Sequence, residues 1–84
     1  MNNLEALVRK NLCRLVDLDI DRIALDASLA DEYGLTSLNL VVLVTSLCEE
    51  TNTPVFNFTD RHIAQLRTPR DVVTLFANAA DQPA

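Results

Sequence analysis

The chain has 84 residues, of which 49% are hydrophobic and 23% charged, and its net charge is −5. A chain of this length forms one small core, so we expect residues 1–84 to be a single domain. The negative charge disfavours nucleic acid and anionic membrane surfaces as partners. It favours a partner with a basic docking surface.

The sequence shows no sign of export, membrane insertion or metal binding. Acidic and basic residues interrupt the N-terminal segment, unlike a signal peptide. The longest apolar run, Leu38–Val44 with Asn39 inside it, is far too short to span a bilayer. Cys13 and Cys48 lack metal-ligand spacing, and we interpret both as small buried side chains in a reducing compartment, with one disulfide formally open. We therefore expect a cytoplasmic protein without a metal.

A first helix is predicted at residues 3–16. Apolar residues recur there at the three- and four-residue steps of one helix face: Leu4, Leu7, Val8, Leu12 and Leu15. From Asp17 to Thr36 this periodicity fails, and a connection of ~20 residues is long for a compact domain. Isolated apolar residues predict that this first loop lies against the core: Ile20, Ile23, Leu25 and Leu29.

Three more helices are predicted, at residues 37–50, 57–66 and 69–80. The first of these is stopped by the Thr-Asn-Thr-Pro sequence at 51–54. The last has the clearest start, with Thr68 as the capping hydroxyl and Pro69 at the first helical position. Strand signals are weak. The predicted fold class is therefore all-α, a small four-helix bundle with three main helices, a short third helix and a long first loop.

Enzymatic chemistry finds little support in the residues. The single glycine, Gly34, allows no phosphate-cradling loop, and no His/Cys/Asp cluster has metal spacing. Ser37 with His62, the only histidine, is the one candidate hydrolase pair, but the G-x-S-x-G elbow is absent and the chain is too small to enclose a substrate. We interpret His62 as a surface residue of the third helix and expect no catalytic residue.

The stretch EYGLTSLNL at residues 32–40 places the only glycine and a Thr-Ser pair before an apolar helix. One hydroxyl is enough to cap a helix, so if Thr36 is the cap, Ser37 is the first helical residue and its hydroxyl is exposed. It then lies at the positive end of the helix dipole, where an anionic phosphate is favoured. Gly34 permits a tight turn before it. From the residues alone, the alternative is that the pair only caps the helix.

The segment IALDASLADEYGLTSLNLVVLVTSLCEE resembles the acyl and peptidyl carrier protein family. That family's core pattern is an acid, a hydrophobic residue and glycine, then two residues before Ser-Leu, with a D-A-S lead-in matched here at 26–28. The resemblance implies a free-standing, non-enzymatic carrier. It also implies that a phosphopantetheinyl transferase esterifies Ser37 with 4′-phosphopantetheine from coenzyme A, and that the arm's thiol carries acyl or aminoacyl thioesters. The implied cofactor-site residues are Gly34, Thr36, Ser37 and Leu38.

Departures from the family pattern bear on the kind of carrier. Thr36 replaces the frequent aspartate, and Tyr33 the frequent leucine. A helical wheel places these residues of the second helix inward: Leu40, Val41, Leu43, Val44 and Leu47. Those facing outward include one acid: Leu38, Asn39, Val42, Thr45, Ser46 and Glu49. Apolar residues on the outward side predict docking by burial as much as by charge. The expected partner-binding residues are Leu38, Asn39, Val42, Thr45 and Glu49.

We therefore expect a monomeric carrier in a specialised polyketide, nonribosomal peptide or lipopeptide pathway. Its partners would be the transferase, an acyl- or aminoacyl-activating ligase or adenylation enzyme, and synthase or condensation enzymes. Two alternatives stay open. The chain is a primary fatty-acid acyl carrier protein, or it is a carrier-fold interaction module in which Ser37 is never loaded.

Overall fold

The computed structural model describes residues 3–54 and 58–81. The helices in these residues are α1 at Asn3–Val16, α2 at Ser37–Thr51, α3 at Asp60–Ala64 and α4 at Pro69–Asp81. A single 3-10 turn at Ile20–Arg22 lies between α1 and α2. No strand occurs in the described part of the chain. The predicted fold class, an all-α four-helix bundle, is confirmed.

The start of α3 lies later than the sequence predicted. The prediction was 57–66, but Thr59 is extended (φ −108°, ψ 168°) and its hydroxyl accepts the N–H of His62 at 3.3 Å. Thr59 is therefore the N-cap, and the helix begins after it. The predicted first residue, Asn57, lies outside the described residues.

The end of α3 also differs from the prediction, because the helix stops at Ala64 rather than at 66. The N–H of Leu66 donates to the carbonyl of Ile63 at 3.1 Å, a three-residue step that closes the last turn as a 3-10 turn.

The end of α2 also differs from the prediction, because this helix extends one residue beyond the predicted end, to Thr51. Asn52 then ends it in the left-handed conformation, with φ 56°.

The core is formed where α1 packs against both α2 and α4. Its fully buried side chains come from all three long helices and from the first loop: Val8, Leu12, Leu29, Leu43, Leu47, Val44, Val72 and Phe76. Phe76 of α4 is 2% exposed, and its ring centroid lies 4.9 Å from that of Phe58, just before α3. The short helix is thus fixed to the bundle through an aromatic contact.

The first loop lies against the core at three of its four predicted points. Ile23, Leu25 and Leu29 are buried, whereas Ile20 is 43% exposed, so its predicted burial is wrong. The 3-10 turn that begins at Ile20 has none of its residues buried. In the first loop, Leu18 packs against the core before this turn, and the fully buried contacts begin after it, at Ile23.

Backbone hydrogen bonds hold the same loop to the start of α4. The N–H of Leu29 donates to the carbonyl of Arg67 at 2.8 Å, and the N–H of Arg70 donates to the carbonyl of Leu25 at 2.9 Å. These bonds satisfy backbone groups that a loop against the core would otherwise leave unpaired. The loop is therefore part of the folded domain rather than an open linker.

Both cysteines are free thiols. Cys48 is buried as predicted, and burial raises the pKa of its thiol, which keeps it protonated and unreactive. Cys13 is only partly buried, contrary to the prediction, because it lies at the edge of the α1 face, where its thiol donates to the carbonyl of Lys10 at 3.0 Å. Among the described helices, none is both long and apolar enough to cross a membrane.

Candidate functional site

The turn that precedes α2 is shaped by Gly34. Its φ is +65°, in the left-handed region, and its N–H donates to the carbonyl of Ala30 at 3.0 Å. A Cβ built there would meet nothing within 4 Å, so glycine is needed for its backbone conformation and not for space. The next residue, Leu35, is buried, and its N–H donates to the carbonyl of Leu29. The turn thus delivers the chain to α2 from a fixed point on the core.

Tyr33 anchors this turn to the first loop. Its phenolic oxygen accepts the N–H of Ala24 at 2.8 Å, while its ring packs against the buried core. A leucine at this position would supply the packing but not the hydrogen bond. Sequence reasoning noted the substitution without finding this role, because the partner is nine residues away across an irregular loop.

Thr36 is the N-cap of α2, as predicted, and Asn39 completes a capping box with it. Thr36 is extended (φ −93°, ψ 172°), and its Oγ1 accepts the N–H of Asn39 at 3.2 Å. In return, Oδ1 of Asn39 accepts the backbone N–H of Thr36 at 3.1 Å and its hydroxyl at 3.0 Å. Two backbone donors that helix formation leaves unpaired are satisfied in this way.

Ser37 is the first residue of α2, and it is exposed. Its hydroxyl forms no hydrogen bond with any residue that the structure describes. Within the same described residues, the backbone N–H groups of Ser37 and Leu38 are also without partners, and the first turn of α2 has no acidic residue. An accessible hydroxyl beside free donors at the positive end of a helix fits attachment of a phosphate ester.

His62 takes part in the start of α3 and forms no hydrogen bond with Ser37. Nδ1 of His62 accepts the backbone N–H of Thr59 at 3.1 Å in the capping box of α3, and its ring lies edge-on to Phe58. No hydrogen bond joins His62 to Ser37 in the described residues, so the candidate hydrolase pair is not formed. His62 is half-buried rather than a freely exposed surface residue.

A cleft of ≈370 Å³ between α3 and α4 includes His62 and Asp71 in its lining. Oδ2 of Asp71 already accepts the N–H groups of Arg67 and Thr68, at 3.0 and 3.1 Å. Nδ1 of His62 and Oδ2 of Asp71 therefore stabilise the starts of α3 and α4. No cluster of three His, Cys, Asp or Glu side chains in the described residues could hold a metal ion.

The outer surface of α2 is apolar next to Ser37. Leu38 is 72% exposed, and Val41 and Val42 are each 43% exposed. The inward position predicted for Val41 is therefore wrong. Each residue turns a helix by about 100°, so Val41 lies at the edge of the buried Leu43–Leu47 stripe and aligns with exposed Leu38 one turn earlier. We call Leu38, Val41 and Val42 the α2 apolar patch.

Beyond the patch, α2 carries two acids in different settings. Glu49 is exposed and forms no ion pair with the described residues, whereas Glu50 accepts a hydrogen bond from Nδ2 of buried Asn11 at 2.7 Å and lies 3.8 Å from Nζ of Lys10. Of the other side chains predicted to face outward, Thr45 is exposed, while Asn39 and Ser46 are half-buried. Glu49 is thus the accessible anion of this surface.

The fold and this site define a small helical protein with an exposed serine at a helix start, and the described residues assemble no group of catalytic side chains. Residues 6–76 match the family model described as the phosphopantetheine attachment site, and the chain belongs to this family. The resemblance found in the sequence is thereby confirmed. No curated protein matches the sequence significantly.

Members of this family are carriers that hold 4′-phosphopantetheine covalently. Carrier domains are not catalytic themselves, and in general they work with a phosphopantetheinyl transferase and with biosynthetic enzymes. The chain is accordingly a carrier protein that binds phosphopantetheine. The exposed hydroxyl and free donors at the start of α2 fit this group.

Proposed function

We propose that Ser37 carries the 4′-phosphopantetheine arm and that the chain is a free-standing, monomeric carrier of acyl or aminoacyl thioesters in the cytoplasm. The observation that supports this most is the position of Ser37 as the first residue of α2. Because Thr36 supplies the cap, the Ser37 hydroxyl is exposed and uncommitted.

The other serines in the described residues are less suited to modification. Oγ of Ser28 accepts the N–H of Asp31 at 3.0 Å, so this hydroxyl already stabilises a turn of the first loop. Ser46 is half-buried in the middle of α2, away from the free donors of a helix start. Ser37 is therefore the site that the chemistry favours.

The bound arm supplies a thiol that forms thioesters, and the protein supplies the attachment point. The positive end of α2 stabilises negative charge at Ser37, and no carboxylate in the first turn opposes it. Gly34, Thr36 and Leu35 hold the start of the helix on the core. Since the arm is tethered, its cargo is presented to each partner at a high effective concentration.

The apolar patch on α2 supports a specialised polyketide, nonribosomal peptide or lipopeptide pathway. A partner enzyme must approach Ser37, and the nearest exposed surface is Leu38 with Val41 and Val42 rather than a row of acids. Such a surface favours docking through burial. The proposed partners are the transferase, an activating ligase or adenylation enzyme, and a synthase or condensation enzyme.

Intact-protein mass spectrometry after incubation with coenzyme A and a broad-specificity transferase tests the attachment site. We expect one phosphopantetheine on the wild type and none on Ser37→Ala. Ser28→Ala and Ser46→Ala are the matched controls and should be modified like the wild type. Label at Ser28 or Ser46 would overturn the assignment, and an unmodified wild type would favour an unloaded interaction module. A fluorophosphonate probe should leave Ser37 unlabelled, since a hydrolase would react.

A further inference from the structure

We propose that Asn39 is a positioning residue that selects Thr36, rather than Ser37, as the N-cap of α2. By doing so it keeps the Ser37 hydroxyl free to be modified. This inference rests on the proposed attachment at Ser37 and adds the residue that makes this serine available.

Two consecutive hydroxyl residues give α2 two alternative starts. A serine or threonine cap accepts an N–H from two or three residues further on. In the observed start Thr36 accepts from Asn39, and in the alternative start Ser37 would itself be extended and would accept from Leu40. Serine is at least as good a cap as threonine, so the intrinsic preference of the two residues does not select Thr36.

The side chain at the third helical position distinguishes the two starts. With Thr36 as cap this position is Asn39, whose Oδ1 accepts both the N–H and the hydroxyl of Thr36. With Ser37 as cap the position would be Leu40, which has no side-chain acceptor and packs against the core. Only the observed start therefore gains the reciprocal hydrogen bonds of a capping box.

The same arrangement begins α3 and α4. Nδ1 of His62 accepts the N–H of Thr59, and Oδ2 of Asp71 accepts the N–H of Thr68. In α4 the residue after the cap is Pro69, which is suited to the first helical position, so no second cap competes there. In α3 it is Asp60, a residue type that also caps helices, and there too the start observed is the one with the reciprocal hydrogen bonds. In α2 the following residue is a serine, so here the box also decides which hydroxyl is used as the cap.

The choice matters for the transfer from coenzyme A. In that reaction Oγ of Ser37 forms a bond to the phosphorus that bears the pantetheine, and the bond from this phosphorus to the adenosine bisphosphate breaks. The hydroxyl proton passes to a base of the transferase. A Ser37 that caps the helix has Oγ directed at a backbone N–H and sits in an extended backbone, so it is a poorer nucleophile. Which residue caps α2 should therefore affect the kcat of the transfer to Ser37.

The kinetic test compares Asn39→Ala, which removes the acceptor, with Asn39→Gln, which keeps an amide acceptor and adds no charge beside Ser37. With a broad-specificity transferase we expect Asn39→Ala to lower kcat by about twofold or more, because the competent start falls to about half of the population or less, and to leave KM for coenzyme A unchanged. Asn39→Gln should restore kcat to the wild-type value. Equal kcat for Asn39→Ala and the wild type would overturn the inference, as would failure of Asn39→Gln to restore it.

Backbone chemical shifts of the unmodified protein test the start of the helix without any modification. In the wild type we expect extended-type shifts at Thr36 and helical shifts at Ser37. In Asn39→Ala the Ser37 shifts should move toward extended values, and in Asn39→Gln they should not. Helical Ser37 shifts in Asn39→Ala would refute the selection by Asn39. Failure of the wild type to be modified at Ser37 would instead refute the proposed function, so the two failures are distinguishable.

Discussion

The guanidinium of Arg70 binds both carboxylate oxygens of Asp26, with Nε 2.7 Å from Oδ1 and Nη2 3.2 Å from Oδ2. The pair joins the first loop to the first turn of α4, next to the backbone bond from Arg70 to Leu25. Both side chains are exposed. The hydrogen bonds from Arg70, and then its charge, lower the pKa of Asp26 below its ordinary value of 3.8.

This pair should make a small, pH-dependent contribution to stability. Since the pKa of Asp26 is lower in the folded state than in the unfolded state, the contribution is present above pH 3.8 and is lost as the pH falls through the folded-state pKa. We expect Asp26→Asn to lower the thermal midpoint slightly at pH 7, because an exposed pair is screened by solvent. The difference from wild type should shrink as the pH falls below 3.8.

The control for this prediction is Asp31→Asn, in the same loop, where the carboxylate forms no ion pair with the described residues. It should leave the midpoint nearly unchanged at pH 7. Thermal unfolding followed by circular dichroism between about pH 2 and pH 7 spans the titration of a carboxyl group. If the thermal midpoint of Asp26→Asn stays below that of the wild type by the same amount over this range, the ion pair is not the cause of the difference.

Tyr33→Phe should destabilise the first loop by about 0.5–1.5 kcal/mol, since it removes the acceptor of the Ala24 N–H. Ala24 is exposed, so water can replace the lost bond and the lower part of this range is expected. Urea unfolding gives the difference. Amide hydrogen exchange at Ala24 supplies the local readout, and unchanged protection there would contradict the role of the phenol.

Local features of this fold were readable from the sequence, and contacts across the loop were not. Thr36 and Thr68 were identified as caps because a cap and the N–H it accepts lie within one turn of the chain. The roles of Asp26 and Tyr33 depend on partners in other segments, which periodicity does not encode. Val41 lies at the edge of the buried side of α2, where a helical wheel does not decide whether a side chain is buried. At the candidate site, the motif predicted Ser37, whereas the capping bonds of Asn39 required coordinates.

Phe76→Ala should lower the free energy of unfolding by about 3–5 kcal/mol, because it removes a fully buried ring and leaves a cavity beside Phe58. Leu75, the residue before Phe76, is only half-buried. Leu75→Ala is thus a matched control in the same helix and should cost less, below about 2 kcal/mol. Urea unfolding measures both. Equal losses for the two variants would show that Phe76 is no special anchor.

Partner recognition is predicted to depend more on Val42 than on Glu49. Val42 belongs to the α2 apolar patch, and Glu49 is the accessible anion beyond it. Burying a valine side chain against a partner contributes on the order of 1–2 kcal/mol, compared with about 0–1 for an exposed ion pair. We therefore expect Val42→Asp to impair the cognate loading enzyme more than Glu49→Gln does. Because Val42 is exposed, the thermal midpoint should stay nearly unchanged.

Salt dependence separates burial from charge in this docking. The measurement is the loading rate against enzyme concentration, at low and at high salt, for the wild type and both variants. Exposed charge pairs are screened beyond a Debye length of about 8–10 Å at ordinary ionic strength, so docking led by acids loses affinity steeply as salt rises, whereas docking led by the apolar patch does not. Val41→Asp, at the edge of the same patch, should behave like Val42→Asp. If Glu49→Gln is instead the more damaging change and its effect vanishes at high salt, recognition is electrostatic. The primary fatty-acid carrier then becomes the better description of this protein.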